Sequence, residues 1–315
     1  MQWAGSIRRI IQASVLAGLC LPALASQLGS FQKTYSVSGP VDLEVLTHSG
    51  DVNIRTGAAG TVTVSGRIVA SEIHVPPFSD RWFNGDKASE VRDLEQNPPV
   101  TQNGNSIHID YVKYHNIAID FEITVPADTT LRTRTGSGDQ MIEGLQKGGD
   151  LEAGSGDIEL RDLTGDLHIR TGSGDVRAEG LAGSVDAEAG SGDIRLDENG
   201  QGDIQVHTGS GNIEIRRANG QVHAEAGSGD ITVDGRQAGE WHFRTGSGDV
   251  SLHLSDDAAF DLDASTSSGD LDVSQPVTMT VQGRIRGNPK TLKGTVRGGG
   301  ALLSIHTGSG DIRID

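Results

Sequence analysis

The stretch Asp157-Ile-Glu-Leu-Arg-Asp-Leu-Thr-Gly-Asp-Leu-His-Ile-Arg-Thr-Gly-Ser-Gly-Asp175 holds two alternating runs and two turns. Ile158 and Leu160 alternate with Glu159 and Arg161. After Leu163-Thr164-Gly165, Leu167 and Ile169 alternate with His168 and Arg170. A period of two puts one face of each run in a core, so each run reads as a short strand. The closing Gly-Ser-Gly-Asp recurs, with perfect copies beginning at Gly136, Gly154, Gly172, Gly190, Gly227, Gly246 and Gly308. Near copies begin at His48, Gly209 and Ser267, and the steps from Gly136 to Gly246 are 18, 18, 18, 19, 18 and 19 residues. A fixed period of this size predicts an all-β, parallel β-solenoid with coils of about 18 residues and two short strands per coil.

Antiparallel hairpins could also space strands this way, so the pairing needs its own argument. Two residues before each Gly-Ser-Gly the chain places Arg134, Glu152, Arg170, Glu188, His207, Glu225 and Arg244 in turn. The next position runs Thr135, Ala153, Thr171, Ala189, Thr208, Ala226, Thr245. Opposite charges side by side on a sheet stabilise it and like charges oppose it. The alternation has a purpose only if equivalent positions of successive coils touch, which favours parallel stacking. Repeated glycines at a corner imply a backbone that a Cβ would forbid, and the expectation is a left-handed residue there. Length changes fall at the second turn, at Asn199 to Gly202, Gly235 to Gly239 and Ser255 to Ala259.

Stacked coils also stack Asp139, Asp157, Asp175, Asp193, Asn212, Asp230, Asp249 and Asp270 at one corner. Neighbouring carboxylates repel, so something must compensate. Two readings follow. Either each side chain accepts hydrogen bonds from nearby backbone, as Asx turns do. Or Asp157, Asp175, Asp193, Asp230 and Asp249 are metal ligands in a ladder of Ca²⁺ sites. Asn212 keeps turn geometry but weakens a cation site, which favours the first reading.

Chemistry elsewhere is sparse. His168, His207, His223, His242 and His253 fall at outward strand positions, where histidines are ordinarily solvated; His223 and His242 are a candidate metal pair. No nucleophile with a partner base stands out, so no catalytic residue and no cofactor is assigned. Residues 71–106 interrupt the repeat with Pro76-Pro77-Phe78, Trp82-Phe83 and Pro98-Pro99. Phe78, Trp82 and Phe83 are candidate anchors for a partner, or a cap over an open end of the solenoid. Arg284, Arg286, Lys290, Lys293 and Arg297 form a basic patch within a long final coil, about 275–306, expected to cap the other end against the acidic rod, with binding of an anionic envelope polymer as the alternative.

Residues 1–25 read as a secretion signal: Arg8-Arg9, an apolar run from Ile10 to Leu21, then Ala23-Leu24-Ala25 as the cleavage site. Cutting there leaves residues 26–315 as one solenoid domain without the single cysteine, Cys20, so disulfides are excluded. The net charge of −17 becomes −19 once the two arginines are lost. So acidic a chain disfavours nucleic acid and anionic membranes as partners. The expected location is exported, periplasmic or extracellular, with no transmembrane segment in the mature chain.

Several marks occur in order: Ser49-Gly-Asp-Val-Asn-Ile54, then Ile123-Thr-Val-Pro-Ala-Asp-Thr-Thr-Leu131, then the Gly-Ser-Gly-Asp coils, then Gly283-Arg-Ile-Arg-Gly and Gly298-Gly-Gly before Gly308-Ser-Gly-Asp-Ile312. In these the chain resembles the bacterial "putative-adhesin" family of β-strand-repeat domains of unknown function, from about Leu43 to Asp315. The resemblance implies the fold and no catalytic residues. The expectation is a non-catalytic structural or interaction module of the cell envelope with a protein or glycan partner. The alternatives are a Ca²⁺-stabilised repeat protein and, further off, a carbohydrate-active solenoid enzyme.

Overall fold

A computed structural model describes residues 27–70, 87–279 and 290–315. The secretion signal, Phe78, Trp82, Phe83, Arg284 and Arg286 lie outside the described residues. The rest is two facing sheets of 13 and 14 strands, most of them parallel. In one, Leu167–Thr171 pairs in parallel with Gly149–Ala153 on one side and Val185–Ala189 on the other, setting Ile169 between Leu151 and Ala187. In the other, Ile158–Arg161 lies in parallel between Gln140–Glu143 and Val176–Leu181. The alternation makes the core. Ile158, Leu160, Leu167, Ile169 and their equivalents up to Trp241 and Phe243 are buried, with exposed polar residues between them.

The charge alternation occupies the predicted place. Glu152 sits in register between Arg134 and Arg170. Arg134 pairs with Glu152 at 2.9 Å and Arg170 with Glu188 at 3.2 Å, all on the solvent face. Exposed pairs of this kind contribute about 0–1 kcal/mol each, so they select the register more than they hold the rod.

The corner glycines have a different cause from the one expected. Among them only Gly50 and Gly229 have positive φ, 111° and 156°. Close approach is what excludes a side chain: a Cβ on Gly174 would lie 1.9 Å from the carbonyl oxygen of Gly156, and one on Gly156 would lie 2.0 Å from that of Gly138. Corners stacked at strand spacing, roughly 4.8 Å, leave no room for a carbon between two backbones.

Neither end follows chain order. At the carboxyl end, Ala301–Ser309 inserts between Trp241–Ser247 and Phe260–Ser268, and Ile312–Ile314 between Val250–Leu254 and Leu271–Val273. The last coil of the chain is therefore the penultimate coil of the stack. Asp311, not Asp270, follows Asp249, which corrects the expected column, and residues 301–306 belong to an inserted coil and not to a cap. Beyond it, Thr291–Val296 pairs antiparallel with Phe260–Ser268, and Val277–Thr278 closes the sheet by antiparallel pairing with Thr291–Val296. At the amino end, Ser106–Ile109 and Ile117–Val125 stack outside Asp42–Thr47 and Val52–Thr56. Antiparallel strands Val100–Asn103, Thr61–Ala70 and Gln27–Ser36 then close both sheets. Within the interruption, Lys87–Gln96 is a helix with Val91 and Leu94 buried; Cβ space at Gly29 is taken by Val91 and Glu95 of that helix.

Candidate functional site

The aspartate corner forms one continuous ladder. Each side chain accepts, through Oδ1, the backbone N–H of the equivalent residue in the next coil. The run is Asp120, Asp51, Asp139, Asp157, Asp175, Asp193, Asn212, Asp230, Asp249, Asp311 and Asp270, at 2.8–3.1 Å per step. Both ends close on a cation: Arg67 pairs with Asp120 at 2.8 Å, and Lys290 lies 3.9 Å from Asp270 while also donating to the Gly269 carbonyl. Asp157, Asp175, Asp193, Asp230 and Asp249 thus each commit one oxygen to backbone. Among the described residues no group of three or more His, Cys, Asp and Glu is arranged to hold a metal ion.

The threonine–alanine alternation serves the same corner. Thr171 Oγ1 donates to the Gly156 carbonyl at 3.2 Å, Thr208 to Gly192 at 3.0 Å and Thr245 to Gly229 at 3.0 Å. In each case the coil beneath carries alanine. One hydroxyl therefore serves the corner that has none.

His168, His207, His223 and His242 lie on the outer face of the 14-stranded sheet, and His253 lies on that of the 13-stranded sheet. His168 faces Asp186 at 3.6 Å, His223 faces Glu225 at 3.4 Å and His242 faces Glu240 at 3.4 Å, along an open groove of about 460 Å³. His223 and His242 are register partners with ring centroids 6.2 Å apart. Each is paired with a carboxylate. Of the basic patch, Lys293 pairs with Asp263 at 2.6 Å and Arg297 donates to the Ala258 carbonyl at 3.3 Å.

A site that the sequence reading passed over lies at the amino end. Between Ser106–Ile109 and Ile117–Val125, where other coils turn on Gly-Ser-Gly-Asp, the chain runs Asp110-Tyr-Val-Lys-Tyr-His-Asn116. The longer loop leaves a cleft of about 540 Å³ beside the His48-Ser-Gly-Asp corner. His48 and Tyr111 stack at 4.3 Å with planes 19° apart, and Tyr111 stays 38% exposed. The helix fixes the loop: Asp93 accepts the Tyr114 hydroxyl at 2.6 Å and pairs with Lys113 at 2.9 Å. The Tyr114 hydroxyl first, then Lys113 and Asn97, hold the Asp93 carboxyl well below the usual carboxylate range. Lys113 also lies 5.0 Å over the Tyr114 ring. The signal was in the sequence: histidine replaces the first corner glycine, and two of the three tyrosines fall within four residues.

No curated protein matches the chain. Among solved structures, a "putative cell adhesion protein" from Clostridium sporogenes aligns over 90% of this chain and 98% of its own, with 11% identity and a TM-score of 0.24. A "putative adhesin" from Bacteroides fragilis aligns over 91% and 97%, with 15% identity and a TM-score of 0.46. The family model described as Toastrack DUF4097 matches residues 37–208 and 182–315. With a family match that spans nearly all of the rod, the chain belongs to the Toastrack DUF4097 family.

Proposed function

We propose that this protein is an exported, non-catalytic rod of the bacterial cell envelope that contacts a neutral surface glycan through the His48–Tyr111 cleft. The observation that carries the reading is the opening of one corner into an aromatic cleft in a stack whose other corners close on glycine. A sugar ring offers C–H faces to an aromatic ring and hydroxyls to a polar rim, and the cleft supplies both kinds of group. Asp110 and Lys113 are the charged groups of the lining, one of each sign, so the lining carries little net charge on a chain of −17. An anionic polymer is repelled by such a chain and a neutral glycan is not. Export is supported by residues 1–25, and no described helix is long and apolar enough to cross a membrane. The Ca²⁺ reading is less favoured, because each ladder aspartate already gives Oδ1 to backbone.

The test is binding of the purified protein to an array of neutral glycans, alongside His48→Gly and Tyr111→Ala. His48→Gly restores the corner used throughout the rod and should fold. Binding by the wild type that falls at least tenfold in both variants supports the reading. No binding by the wild type, or equal binding by all three, overturns it.

A further inference from the structure

At the second turn of three successive coils a column of buried leucines runs along the rod: Leu145, Leu163 and Leu181. Backbone bonds join them, Thr164 N–H to the Leu145 carbonyl at 2.8 Å and Ala182 N–H to that of Leu163 at 2.9 Å. The next inward position is Glu198. It is the register partner of Leu181, is 1% exposed, and neither carboxyl oxygen meets a hydrogen-bond partner among the described residues.

The charged groups nearby are turned to other tasks. Arg217, at φ 56°, folds back over the turn, but its Nε donates to the backbone carbonyl of Glu198 at 2.7 Å and its guanidinium pairs with Asp197. Arg216 is held by Glu214 and Arg177 by Glu179, both on the solvent face. Asp203 in the turn is a further negative charge, its Oδ1 accepting the Gln221 N–H at 3.0 Å. The opposite sheet presents buried Val185 and Ile204 from the neighbouring strands. Among the described residues nothing in this setting compensates a carboxylate, and burying an unpaired charge is far costlier than burying the neutral acid.

We propose that Glu198 makes the middle of the rod a proton-dependent seam. Protonated, it packs as the next member of the leucine column. Deprotonated, it draws water into the 197–203 turn and loosens that coil against its neighbours. Burial first, and Asp203 second, push the Glu198 carboxyl from 4.5 up to about 7. Because the folded value is the higher one, the folded coil binds the proton that the open coil releases. The stabilisation is therefore fully present below about 4.5 and is lost as pH rises to about 7.

Amide hydrogen exchange between pH 5 and 8 tests this on the wild type, Glu198→Gln and Glu198→Leu. After correction for the intrinsic exchange chemistry, opening of the 197–203 amides in the wild type should rise about tenfold per pH unit until near pH 7. Both variants should be flat, and amides in Ile158–Arg161 should be flat in all three. A wild type without this slope, or a variant that keeps it, overturns the proposal. If Glu198→Gln fails to fold, Glu198→Leu, which continues the column, decides alone.

Discussion

The backbone amide of Asp175 donates to Oδ1 of Asp157, one coil away, at 2.8 Å. The same bond recurs along the rod, so a residue that reads as a cation ligand serves as a rung between coils. Carboxylates that would repel at strand spacing are each offset by an N–H dipole directed at them. The ladder closes on Arg67 at one end and on Lys290 at the other.

Asp175→Ala should lower stability by about 1–2 kcal/mol, because it leaves the Asp193 amide without its acceptor. Asp175→Asn should be close to neutral, since Asn212 already fills a rung through its own Oδ1. Urea unfolding of both variants decides this, and an alanine variant as stable as the wild type would remove the ladder from the account of the fold.

Gly174→Ala should cost about 3 kcal/mol or more, as its Cβ would meet the Gly156 carbonyl oxygen at 1.9 Å. Gly104→Ala is the control. Gly104 has φ 62° and nothing within 4 Å of a Cβ, so only backbone strain of about 1 kcal/mol applies. Thermal melts of the pair should differ clearly. Equal losses would return the corner glycines to a conformational role.

Removing residues 301–315 should do more than shorten the rod. It empties the slot between Trp241–Ser247 and Phe260–Ser268, exposing Phe243 and Leu262 on either side. Hydrogen exchange should then show Phe260–Ser268 unprotected. Retained protection there would mean that the strand can pair directly with Trp241–Ser247.

Thermal melts in calcium and in chelator should have the same midpoint. A specific site filled a hundredfold above its dissociation constant would raise stability by about 2.7 kcal/mol, a shift of several degrees. Such a shift, lost in Asp175→Asn, would restore the cation reading.

The legible part of this protein is what repeats. Arg134, Glu152 and Arg170 are 18 residues apart and in register on adjacent strands, so their alternation betrays parallel stacking in the sequence itself. The buried face of each strand followed from Ile158, Leu160, Leu167 and Ile169 for the same reason. Glu198 could have been noticed as a charged residue in an inward position, but the turn beginning at Asn199 hid its parity. The cleft is not legible in the sequence because His48 and Tyr111 follow strands that are neighbours only once Ser106–Ile109 has stacked outside Asp42–Thr47.

A solenoid with glycine corners, its coil length, its pairing direction and its core can all be read along the chain, since each rests on contacts between equivalent positions one period apart. The cause of the glycines, the burial of Glu198, the order of the ends and the opened corner emerge only once the coils are stacked. The order of the ends depends on non-periodic contacts, such as the Asp311 amide on Asp249, 62 residues back, and the Asp270 amide on Asp311, 41 residues ahead. A local pattern carries no trace of pairings that the chain makes by returning to fill a slot it had left open.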